Sequence, residues 1–193
     1  MKKFVTSLLI GITVFSFAGC SGQETPAVTV DPTTPTNLIK YEGTDFSLLY
    51  PKDWEVLGSE KFPSNVPSST VVVIRNNIKS EIFTANLNVS QSPLKETTTT
   101  NDFALATMNA VQNNLINFKE ISRDKVAVAG DETFIATFQG RKTATESLIE
   151  FKTLCLSRNG FGVIITAAYL PNEDQIVVTK LSDMLKSFTL KNP

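Results

Sequence analysis

From Phe83 to Ser90 the chain reads Phe-Thr-Ala-Asn-Leu-Asn-Val-Ser, an unbroken alternation of apolar and polar residues. Successive side chains of an extended strand point to opposite faces, so this pattern specifies a strand with one dry and one wetter face. Other segments carry related signs. Phe46, Leu48 and Tyr50 alternate with Ser47 and Leu49, and Val71 to Ile74 is β-branched throughout, as for a buried strand. Residues 119–128 and 132–139 flank Gly130-Asp131 as a strand pair. Residues 146–157 bring Ile149, Phe151, Thr153 and Cys155 to one side, and Arg158-Asn159-Gly160 marks a turn before a strand over Phe161–Tyr169. Successive strands joined by short turns predict an antiparallel sheet.

Two segments have helical period. Thr100 or Asn101 caps a predicted helix running to about Asn117, with Leu105, Met108, Val111 and Leu115 on one face. Pro171-Asn172 supplies a break and an N-cap for a second helix. Glu173 and Asp174 fall in its first turn, where negative charge complements the helix dipole. Val177, Leu181, Met184 and Phe188 then form a core-facing stripe. Strands, a helix, strands again and a closing helix give an α+β fold around a central antiparallel sheet.

Composition narrows the chemistry. The 193 residues contain no His and only two Cys, and the formal net charge is −1. Without imidazole there is no Ser-His-Asp or Cys-His pair, no His-ligated zinc or haem and no imidazole base. Near-neutral charge leaves no electrostatic footprint for nucleic acid. The length suits one domain plus a tail.

That tail is legible. Lys2 and Lys3 precede an uncharged, mainly apolar run from Phe4 to Phe17, too short for a stable bilayer span and ordered as a secretory signal. Phe17-Ala18-Gly19-Cys20 resembles the lipobox of bacterial lipoproteins, with Phe in place of the usual Leu. The resemblance implies cleavage before Cys20 and acylation of its sulfur, which anchors the chain to a membrane without spanning it. Ser21, where Asp would signal inner-membrane retention, points to the outer membrane in a Gram-negative cell; otherwise the outer face of the cell membrane is expected. The expected organisation is a signal over 1–19, a lipid-anchored Pro/Thr-rich tether over 20–37 and one globular domain over 38–193. Residues 21–36, extended as polyproline II, would reach roughly 50 Å. With Cys20 acylated, Cys155 has no intramolecular disulfide partner and reads as a small buried hydrophobe.

Tyr50-Pro51-Lys52-Asp53-Trp54 resembles the Tyr-Pro-x-x-Trp turn of the PsbP-like superfamily. A main helix before a long strand run, and a closing helix ending in Leu185-Lys186-Ser187-Phe188, resemble it too. The resemblance implies a central antiparallel sheet with helices on both faces, over about residues 38–191. It implies no single function, since the superfamily includes an extrinsic photosystem subunit, a nuclear-import factor that binds a small GTPase, and many bacterial lipoproteins of unknown role. No site residue carries over from it. On the residues alone, Pro51 ends a strand, Asp53 suits the turn, and Trp54 is a core plug, with a ligand or partner contact as its functional alternative.

Chemistry-bearing motifs are otherwise scarce. Ser-x-x-Lys occurs at Ser92/Lys95 and Ser122/Lys125, but neither stretch reads as the helix start that serine–lysine hydrolases need. The carboxylate pairs Asp131/Glu132 and Glu173/Asp174 have turn and cap roles. No catalytic residue, metal site or cofactor is expected. The sequence therefore points to a lipid-anchored cell-envelope module that binds a protein partner without catalysis. A carrier of a small apolar ligand and a hydrolase with a carboxylate or metal-assisted site are the alternatives.

Overall fold

A computed structural model describes residues 37–62, 66–128, 130–158 and 160–191. The signal, Cys20 and the tether up to residue 36 lie outside the described residues. Ten strands and two α-helices are described, besides a short 3-10 turn over Ser59–Lys61, in the order β1 (Leu38–Glu42), β2 (Phe46–Pro51), β3 (Glu55–Gly58), β4 (Thr70–Arg75), β5 (Asn86–Pro93), α1 (Thr100–Asn114), β6 (Ile116–Val128), β7 (Asp131–Arg141), β8 (Ile149–Arg158), β9 (Phe161–Tyr169), α2 (Gln175–Lys186) and β10 (Thr189–Leu190).

The strands form two sheets rather than the single one expected. β1, β2 and β10 make a three-stranded sheet, and a seven-stranded sheet runs β3-β4-β5-β9-β8-β7-β6. Every pairing is antiparallel. The turn after Pro51, closed by a Trp54 N–H to Pro51 carbonyl bond of 2.9 Å, separates β2 from β3 and sends them to different sheets. β1 and β3 are strands that the sequence pattern does not announce. β1 has only intermediate and exposed residues, and β3 is four residues long.

Alternation along the long strands divides the interior in two. Leu154 and Leu156 of β8, with Ile165 and Ala167 of β9, pack with Leu181, Met184 and Leu185 of α2. Phe151 and Cys155 of β8, with Ala168 of β9, pack with Phe103, Met108 and Val111 of α1. Each strand thus feeds two clusters, which is why β9 is apolar at nearly every position and β8 runs Leu154-Cys155-Leu156 without a polar residue.

β5 departs from its predicted half-wet character. It begins at Asn86, and Phe83, Thr84 and Ala85 precede it. Both faces are buried, including Asn86 (1% exposed), Asn88 (3%) and Ser90 (8%). Asn86 Nδ2 donates to the Thr84 carbonyl at 2.9 Å, and the Ser90 and Thr70 hydroxyls lie 3.5 Å apart.

The helix starts also shift. Thr99 caps α1, accepting from the Asp102 N–H at 3.1 Å, in place of Thr100 or Asn101. The helix stops at Asn114, short of Asn117, which lies in β6 and takes a positive φ of 56° where the register breaks between Ile116 and Lys119. The buried face centres on Phe103, Ala104, Thr107, Met108 and Val111, and Leu105 is left 39% exposed. Turning the bulkier Phe103 inward rotates Leu105 out. Asp174, not Asn172, caps α2, accepting from the Ile176 N–H at 2.7 Å. Phe188 lies beyond the helix and stacks on Phe46 at 5.2 Å, joining α2 to the small sheet.

Candidate binding groove

α2 sits against β2 and β9, so the α2-side surface of β6 to β8 is only partly covered. A groove of about 320 Å³ opens there, lined by Asp124 and Val126 of β6, Ile135 and Thr137 of β7, Lys152 of β8, and Ser182, Leu185 and Lys186 of α2. Strand register builds it. Asp124 pairs with Ile135, which pairs with Leu154, while Ser122, Thr137 and Lys152 form the adjacent row.

The groove is amphipathic. Val126, Ile135 and Leu185 give it an apolar floor. Lys152 stands half-buried beside them, its Nζ donating to Ser182 Oγ at 2.9 Å. Among the described residues no carboxylate lies within ion-pair distance of Lys152 or Lys186. Asp124 on the opposite wall accepts from Ser122 Oγ at 3.0 Å. A half-buried ammonium whose described protein partner is a hydroxyl has capacity for an anion, because a charge partly removed from water gains most from an opposite charge.

Along the same surface three part-buried polar side chains bond to one another. The Tyr169 hydroxyl donates to Glu150 Oε1 at 2.7 Å, and Gln139 Nε2 donates to Glu150 Oε2 at 2.9 Å. Burial, then the neighbouring Glu150, pushes the Tyr169 phenol well above its usual range. β6, the outer strand, is largely exposed and carries Lys119, Glu120, Arg123, Asp124 and Lys125, with two breaks in its register. Charges and bulges of this kind guard an edge against indiscriminate strand addition.

The residues singled out from sequence are dispersed. Cys20 lies outside the described residues. Trp54 is 5% exposed and packs in the α2-side cluster, the position of a plug; a contact role would require that ring to be uncovered. Cys155 is free and 2% exposed, and burial pushes its thiol up to about 12, with the Thr107 hydroxyl beside it offsetting part of the rise. Ser122 and Lys125 both sit on β6, where a residue three positions on points to the opposite face, and Ser92 lies on β5 with Lys95 beyond its end, so neither serine opens a helix. Asp131 is held by Arg158 at 3.2 Å, and Asp174 serves as a cap. Among the described residues no three Cys, Asp or Glu side chains converge as a metal site would require. No described helix is long and apolar enough to cross a membrane. Lys152 and Lys186 were not legible as a site in sequence, since only the register and the placement of α2 bring them to one groove.

No family model matches the chain, and no curated protein matches it either. Solved structures do. The cyanobacterial PsbP protein CyanoP of Synechocystis sp. PCC 6803 aligns with a TM-score of 0.56 at 14% identity, over 86% of this chain and all of that one. LpqN of Mycobacterium tuberculosis, involved in cell envelope biogenesis, aligns with a TM-score of 0.54 at 17% identity, over 88% of this chain and 91% of that one. The Ran-binding protein Mog1p of Saccharomyces cerevisiae aligns with a TM-score of 0.53 at 12% identity, over 81% of this chain and 96% of that one. At such identities the likeness is one of fold: this chain has a PsbP-like fold.

Proposed function

We propose that this chain is a lipid-anchored cell-envelope protein, with a PsbP-like sheet packed by a helix on each face, that binds another protein and catalyses no reaction. The anchor is Cys20 and the contact surface is the groove between α2 and β6 to β8. The observation that carries the binding role is Lys152, a half-buried cation with a hydroxyl but, among the described residues, no carboxylate as partner, beside an apolar floor. The partner segment it suits presents an Asp or Glu side chain next to an apolar one. Mog1p is a Ran-binding protein and LpqN is involved in envelope biogenesis; both descriptions accord with this reading. The groove's apolar floor also suits the aliphatic part of a small ligand, and a lipid seen on the purified chain by native mass spectrometry would favour that second reading.

Site-specific photocrosslinking in the cells that make the protein tests the binding role. A crosslinker replacing exposed Asp124, at the groove, should capture one discrete protein, while one replacing exposed Asn113 on α1 should not. The K152E variant should abolish the product and K152R should keep it. The same product from both positions, or one that survives K152E, defeats the proposal. Fatty-acid labelling of wild type against Cys20→Ala tests the anchor separately.

A further inference from the structure

We infer that the loop between β4 and β5 rests on the membrane surface, with Ile78 and Ile82 dipping into the lipid, so that the domain is held in one orientation. The inference rests on the lipid-anchor reading.

The chain enters the domain at Asn37, whose carbonyl accepts from the Lys52 N–H at 2.9 Å, and Leu38 pairs with Pro51. The turn that follows leads directly into β3, where Glu55 pairs with Arg75 and accepts from its Nε at 2.7 Å. The loop leaves β4 from that point. The Asn76 N–H closes its base on the Ala85 carbonyl at 2.9 Å. Asn76 Oδ1 accepts from the Ile78 N–H at 3.2 Å, Ser80 Oγ accepts from the Ile82 N–H at 3.2 Å, and Phe83 is buried at 1% exposure. The loop is thus shaped by its own hydrogen bonds and pinned by Phe83. Yet Ile78 is 75% exposed and Ile82 58%.

A lone exposed apolar residue is ordinary. Two isoleucines at one loop, at the end where the tether enters, are not explained by packing. Lys52 and Lys79 lie at this end with Asp53 and Glu81, so the attraction is apolar and not a charge on the headgroups. The tether decides the occupant. From Cys20 to Asn37 the tether, even extended as polyproline II, would reach no more than roughly 50 Å, so this end stays within that distance of the anchoring surface. Confinement of that kind raises the effective concentration of lipid to the millimolar range or above. Insertion too weak to hold a free protein then suffices to orient a tethered one. The opposite end, at the β8–β9 turn with Phe161, is separated by the full paired length of β5 and β9, roughly 25 Å at about 3.4 Å per residue.

The test uses the full acylated chain on vesicles of phosphatidylethanolamine and phosphatidylglycerol. A polarity-sensitive dye is placed on Ile78→Cys in one sample and on Phe161→Cys in another; buried Cys155 and acylated Cys20 leave the new thiol as the label site. The dye at position 78 should shift to the blue and be quenched by a shallow lipid-borne quencher, and the dye at 161 should do neither. Adding Ile82→Asp should return the dye at 78 to its aqueous spectrum. A chain that floats with the vesicles while the dye at 78 stays aqueous, or while both dyes respond alike, overturns the inference and leaves the anchor standing. A chain that does not float overturns the anchor and the inference with it.

Discussion

Gly162 offers the sharpest test of the packing. It lies on β9, paired with Ser92 and Ser157, on the strand face that looks toward α1. A Cβ added there would stand 2.5 Å from Phe103 Cζ, 2.7 Å from Leu94 Cδ1 and 2.8 Å from Phe103 Cε1. Favourable carbon contacts lie at about 3.5–4.0 Å, so each neighbour must retreat by roughly 1 Å. Leu94 is only partly buried and can yield, but Phe103 is 1% exposed and fixed on α1. Overpacking a tight core costs about 1–3 kcal/mol. The lower chain entropy of unfolded Ala returns about 0.4–1 kcal/mol. Gly162→Ala should therefore destabilise by a net of about 1–2 kcal/mol. With an m value of about 2 kcal/mol/M in urea, the midpoint should fall by roughly 0.5–1 M. Trp54, the only Trp and buried, reports the transition by fluorescence. The decisive control is Phe103→Leu, which removes the two clashing ring atoms. Alone it should destabilise; in the Gly162→Ala background its cost should shrink by about 0.5–3 kcal/mol, the coupling expected of residues in contact. A Gly162→Ala midpoint equal to wild type, or a Phe103→Leu cost identical in both backgrounds, would refute the reasoning.

Two further outcomes are expected. Thr99→Ala removes the cap of α1, whose Oγ1 accepts from the Asp102 N–H and donates to Asp102 Oδ2 at 2.8 Å, and should cost about 1 kcal/mol by denaturant titration. The folded state raises the pKa of Tyr169, so it keeps that proton where the unfolded chain loses it, and stability falls as pH climbs past about 10. Cys155, raised to about 12, adds a loss of the same sign beginning near pH ~8.5. Stability measured against alkaline pH should fall less steeply than in wild type above about 10 in Tyr169→Phe and from about 8.5 in Cys155→Ala; unchanged slopes would contradict the burial of these groups.

Much of the fold could be read along the chain, and the reasons are local. The strand pairs around Gly130-Asp131 and Gly160 combine turn residues with β-rich flanks, and both glycines take positive φ in the structure, 85° and 76°. The α2 stripe was legible because Leu181 and Met184 lie on one face whatever they meet. β1 and β3 were not, because short or exposed strands are held by their ladder partners and carry little pattern of their own. The caps shifted by one or two residues because neighbouring Thr, Asn and Asp compete for the same role, and the approach of the chain to the helix selects among them. Alternation in β5 showed two faces but could not show that both would be covered.

The sequence by itself determined the periodicities, the lack of imidazole chemistry and the amphipathic character of each element, because these depend only on residue type and spacing. The tertiary structure alone decided that the strands split into two sheets, that Asn86 and Asn88 are buried, and that Lys152 stands beside Ser182 with no carboxylate near it among the described residues. Those are matters of which distant segments meet. Partner choice across a sheet depends on register and on where α2 settles, and neither is written in any window of neighbouring residues.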